Sequence, residues 1–117
     1  MYLDGEYYQI YLRKSVYRIN DALDDIDPQI LYSTVLHPIL GIEDPRDDAN
    51  LYHLPEVGNE MQIKSLVDSG EFSVGFGSYP VSVEQLKNIA DQGMIMPPKS
   101  TYIEPKLRSA MTIYELK

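Results

Sequence analysis

The run Pro97-Pro98-Lys99-Ser100-Thr101-Tyr102-Ile103-Glu104-Pro105-Lys106-Leu107-Arg108-Ser109 constrains this chain more than any other stretch. Three prolines in thirteen residues fix φ and remove three backbone donors. Such a segment is pre-shaped rather than floppy. It also carries three cations and three aliphatic hydroxyls. A pre-shaped run of Lys, Ser, Thr and Arg has the chemistry of an anion-binding loop, because Arg clamps a phosphate or carboxylate bidentately and Lys adds a point charge.

The rest of the chain makes that loop stand out. The formal net charge is −8 over 117 residues. From Asp21 to Glu60 there are ten acidic residues and one basic residue, Arg46; from Met94 to Lys117 there are four basic and two acidic residues. An acidic balance of this size keeps a domain in solution and repels phosphate backbones, so a nucleic-acid partner is not expected. The length suits one domain with a modest core. The absence of cysteine excludes disulfides and thiolate metal sites. No apolar run is long enough for a membrane span, and the first residues lack the pattern of a signal peptide, so a cytoplasmic protein is expected.

Turn and cap signals divide the chain into short elements. Asp4-Gly5 is a two-residue hairpin signal. The arm after it, Glu6 to Arg13, alternates Tyr8, Ile10 and Leu12 with Tyr7, Gln9 and Tyr11. Asp27 followed by Pro28 predicts an N-cap and first helical residue, with the helix ending near Leu36 because Pro38 disfavours αR at His37. Leu51 to Leu54 reads as a short strand. Asn59 and Gln62 predict the start of a second helix, and Gly70 its stop. Phe72 to Tyr79 alternates large and small residues, as a central strand with a close neighbour does. Ser82 and Gln85 form a capping box before Val83, Leu86, Ile89 and Ala90, with Gly93 as the stop. Ser109 to Leu116 alternates as a last strand. The expected fold is α+β: a mixed sheet of about five strands, with an N-terminal β-hairpin and about three helices.

Few motifs carry chemistry. There is no phosphate-binding Gly-x-x-x-x-Gly-Lys-Ser/Thr loop, and Gly75-Phe76-Gly77 lacks the third glycine of a dinucleotide turn. Glu43-Asp44-Pro45-Arg46-Asp47-Asp48 gathers four carboxylates, but without EF-hand spacing and with Arg46 at hand to neutralise one of them, so no metal is expected there. His37 and His53 have no partner at ligand or triad spacing and read as structural. The anion-site candidates are therefore Lys99, Ser100, Thr101, Lys106 and Arg108, with Glu43, Asp44, Arg46 and Glu104 as a second edge. The competing reading ties the loop's cations to the acidic half.

The segments Met1-Tyr2-Leu3-Asp4-Gly5, Ile39-Leu40-Gly41-Ile42-Glu43-Asp44-Pro45-Arg46, Val67-Asp68-Ser69-Gly70-Glu71 and Ile95 to Ser109 resemble the C-terminal part of a bacterial and archaeal family known as domain of unknown function 1015, some of whose members are labelled ParB/SpoOJ-like. The resemblance runs over nearly all of the chain. It implies that residues 1–117 form a single domain at the C-terminal end of a longer protein. It also implies that an upstream Gly-His-His-Arg element lies outside this sequence. The chain is then an accessory domain of a nucleotide- or phosphometabolite-binding protein, not catalytic by itself. The full-length protein would be a small-molecule phosphotransferase using a nucleotide with Mg²⁺, and the chain alone would hold no cofactor. Its partners would be the N-terminal part of the same protein or, through the tyrosine-rich hairpin, a second copy. The rival expectation is a packing or dimerisation module with no ligand site.

Overall fold

The computed structural model describes residues 1–13, 15–54 and 60–101. Strands β1 (Tyr2–Leu3) and β2 (Glu6–Tyr7) form the N-terminal hairpin, with Tyr2 opposite Tyr7 and Leu3 opposite Glu6. Asp4 and Gly5 both have positive φ, 50° and 84°. Positive φ at both central positions is what a type I′ turn demands, and glycine meets it without steric cost.

Helix α1 covers Asp27–Leu31 and runs directly into a π-helical turn, Tyr32–Leu36. The expected cap is displaced by one residue. Ile26, in extended conformation, is the N-cap, and Asp27 is helical with Pro28 in the first turn. The Asp27 carboxylate is free to accept from the Tyr79 N–H at 3.0 Å instead. The helical run does end at Leu36, yet His37 keeps αR angles (φ −73°, ψ −58°) despite the following proline. Its N–H still donates to the Tyr32 carbonyl, and that bond holds it there.

Helix α2 (Glu60–Asp68) packs against β1, and helix α3 spans Val83–Asp91. Gly70 and Gly93 follow them in left-handed conformation, as expected of helix stops. The Ser82–Gln85 capping box is formed in both directions. Gln85 also reaches the Asp25 carbonyl at 2.8 Å, and Gln92 accepts from the Ala22 N–H, so α3 is pinned to the segment before α1. Of the apolar face expected for α3, Ile89 is buried, but Val83 is 83% exposed.

The five-stranded sheet is not formed. The described residues hold a two-stranded antiparallel sheet and three helices, still an α+β mixture. Leu51 to Leu54 is irregular, and Phe72 to Tyr79 contributes only Gly75, which exchanges two backbone hydrogen bonds with Tyr2. A Cβ at Gly75 would collide with the Ile63 side chain of α2. The close approach read from the small residues is therefore real, but it is confined to one position, and no ladder grows from it. The expected strand from Ser109 to Leu116 lies outside the described residues, as does the Asn59 cap.

The buried apolar side chains among the described residues are Tyr2, Ile26, Leu36, Ile42 and Ile89. That is a small core. The radius of gyration is 16.7 Å, against about 13 Å for a compact chain of about a hundred residues.

Candidate functional site

The loop that follows α3 reaches Lys99 in left-handed conformation, φ 55°. Non-glycine residues seldom sit there, and the turn is held by the Ser100 hydroxyl, which donates to the Pro97 carbonyl at 2.6 Å. Lys99 and Thr101 are exposed. Arg46, Lys64 and Lys87 each pair with a carboxylate, at 2.6 Å in every case. Lys99 has no ion pair among the described residues. Lys106, Arg108 and Glu104 lie outside the described residues, so the structure sets out three of the five expected anion contacts, Lys99, Ser100 and Thr101.

The second edge is built differently from the expectation. Arg46 folds back on Asp44, donating through Nε and Nη2 to both carboxylate oxygens. The guanidinium beside it, first by hydrogen bonding, holds the Asp44 carboxyl down at about 2. A chelated pair of this kind is nearly neutral and has little charge left for a ligand. Asp48 accepts from the Asn50 N–H at 2.8 Å, and the Glu43 side chain lies 3.5 Å from His37. Asp44 and Asp48 therefore serve local turns, and Glu43 leans toward His37. Among the described residues no group of three or more His, Cys, Asp or Glu side chains is gathered as a metal site would require.

Both histidines are exposed and contact neighbours in the loop that follows α1. The His37 ring lies tilted against the Tyr32 ring, whose hydroxyl donates to the Glu43 carbonyl at 2.7 Å. The His53 Nε2 lies 3.0 Å from the Pro45 carbonyl, so that nitrogen carries the proton when the bond is made.

Sequence reasoning missed one polar cluster. The Tyr2 hydroxyl donates to Asp68 at 2.6 Å, and Lys64 donates to both the Tyr2 oxygen (2.7 Å) and Asp68 (2.6 Å). Lys64 also sits 5.0 Å from the Tyr2 ring centre. A shallow, open depression lined by Met61, Lys64, Ser65, Asp68 and Ser69 lies beside it. The Lys64–Asp68 spacing was legible as an i,i+4 pair. Tyr2 was not, because the hairpin brings it in from sixty-odd positions away. Hydrogen bonding to Asp68 raises the tyrosine above its usual range, with Lys64 opposing. Asp68, through its bond to Lys64 and then to Tyr2, is lowered, and Lys64 is raised, chiefly by Asp68. Each shift favours the group's resting protonation state, which suits a clamp between hairpin and α2.

The largest unabsorbed feature is the arm beyond β2. Tyr8, Ile10, Tyr11, Leu12, Val16 and Ile19 are all exposed, Tyr11 by 77% and Val16 by 79%. A scan against protein-family models finds no match, and searches of the curated proteins and of the solved structures find none either. No helix among the described residues is long and apolar enough to cross a membrane.

Proposed function

We propose that this chain is an association module whose working surface is the arm from Tyr7 to Ile19. The observation that carries this reading is the run of large apolar side chains left in solvent there, beside a core of only five buried apolar residues among those described. Apolar patches of this kind mark interaction surfaces, and a small core gains by completing itself on another molecule. Static light scattering across concentration tests it. The wild-type mass should rise above 13.4 kDa, and Tyr11→Asp should return it to the monomer. A monomeric wild type at every concentration overturns the reading.

A specific observation favours a second reading, in which the domain also presents an anion subsite. Lys99 stands exposed, held in an uncommon backbone conformation and unpaired among the described residues, in a protein whose other paired cations show how readily carboxylates take them up. The resemblance to the domain of unknown function 1015 family supports the same role: a nucleotide or phosphometabolite bound between this loop and the rest of a longer protein. Pyrophosphate and ATP should raise the thermal midpoint of the wild type more than that of Lys99→Ala. Equal shifts in the two proteins remove this reading and leave the first one standing.

A further inference from the structure

The arm carries an order that identifies its partner. Met1 and Tyr8 exchange both backbone hydrogen bonds, 2.8 and 2.9 Å, while Tyr2 exchanges both of its own with Gly75 on the other side. Antiparallel ladders alternate in this way. Strand β1 is therefore satisfied on both edges, and Tyr7, opposite Tyr2, turns its N–H and C=O outward. Among the described residues no hydrogen bond reaches the backbone of residues 9–12. The open edge of β2 thus continues into a segment with unpaired backbone and exposed side chains, until the Arg13 carbonyl is taken up by the amides of Val16 and Tyr17. An open apolar edge of this kind is a template for another strand.

We propose that Tyr7 to Arg13 pairs antiparallel with the same residues of a second copy, about a two-fold axis at Ile10. This rests on the association reading and names the partner surface for it. The outward groups belong to odd-numbered residues, so odd must pair with odd, and the sum of paired positions must be even. Centring the pairing on the free segment gives a sum of twenty. Ile10 then meets Ile10 of the second copy, Tyr8 meets Leu12, Gln9 meets Tyr11, and Tyr7 meets Arg13, which would donate its N–H to the Tyr7 carbonyl while its own carbonyl stays with Val16 and Tyr17. The first two are apolar pairs, the third can share a hydrogen bond, and the fourth is a cation over an aromatic ring. No like charges face each other. The arrangement is isologous, so it closes at two copies instead of growing into a filament.

The test exploits the absence of cysteine from the sequence. Ile10 would face its mate in a non-hydrogen-bonded pair, where Cα atoms lie about 4.5 Å apart, within the range a disulfide spans. Under mild oxidation Ile10→Cys should become mostly covalent dimer. Tyr8→Cys and Leu12→Cys should each stay monomeric on a non-reducing gel but cross-link when mixed. In the unmodified protein, amide exchange at Gln9 and Tyr11 should slow as concentration rises. Uniform cross-linking at all three positions, or none at Ile10 in a protein that scatters as a dimer, overturns the two-fold pairing while the association reading stands. A protein that scatters as a monomer at all concentrations removes both.

Discussion

At the scale of single residues, Gly75 and Asp44 show how locally a side chain can be dictated. Gly75 has no Cβ because the Ile63 side chain occupies that space. Gly75→Ala should therefore destabilise the fold by roughly 1–3 kcal/mol through overpacking. The loss should be smaller when Ile63→Ala removes the obstructing methyl group, a coupling that urea denaturation of the two single variants and the double variant will read. Asp44 responds to charge instead of space. Its carboxyl is held at about 2 by Arg46, below the ordinary 3.8. Because the folded value is the depressed one, the pair's stabilisation is full above the ordinary value and fades as pH falls toward 2. Both side chains are largely solvated, so the contribution to stability is small and screened by salt. Carboxyl NMR should place the Asp44 midpoint near 2 and return it toward 3.8 in Arg46→Ala. An unchanged midpoint in that variant would rule out Arg46 as the cause.

At the scale of elements, helix α3 depends on its first turn. Its capping box satisfies two terminal donors, and Gln85 spends its amide group on the Asp25 carbonyl as well. Ser82→Ala should cost about 1 kcal/mol. Gln85→Ala should cost more than the cap alone, since it also frees α3 from the preceding segment. Chemical denaturation orders the two variants, and a larger loss in Ser82→Ala would contradict the tie to Asp25. This cap was fully legible in the sequence, as were the hairpin turn at Asp4-Gly5 and the stops at Gly70 and Gly93, because each is decided within four residues. The sheet was not legible. Phe72 to Tyr79 alternates like a strand, but alternation names no partner, and only Gly75 finds one. The π-helical turn at Tyr32–Leu36 has no local signal either. The candidate site divides in the same way. Arg46 was read as a neutraliser from its place beside Asp44, whereas Tyr2 joined Lys64 and Asp68 only once the hairpin had folded onto α2.

At the scale of the whole molecule, charge separates two ways for the arm to associate. From Tyr7 to Asn20 the sequence has cations and no carboxylate, while the forty residues from Asp21 to Glu60 hold ten carboxylates and one cation. An arm that docked on the acidic stretch of the next copy would be drawn by opposite charge. Salt would weaken that contact, and the head-to-tail geometry would leave a free end on each copy to recruit another. Two arms paired about Ile10 gain from apolar contact and backbone hydrogen bonds instead. What opposes them is the net charge of −8 on each copy. The screening length falls from about 10 Å at 0.1 M to about 3 Å at 1 M, so added salt removes most of that opposition. Sedimentation equilibrium should show association tightening several-fold as sodium chloride rises from about 0.05 to 0.5 M, with the mass levelling at two copies. Weakening with salt, or growth beyond two copies, would assign the arm to the acidic stretch and reject the paired-edge arrangement.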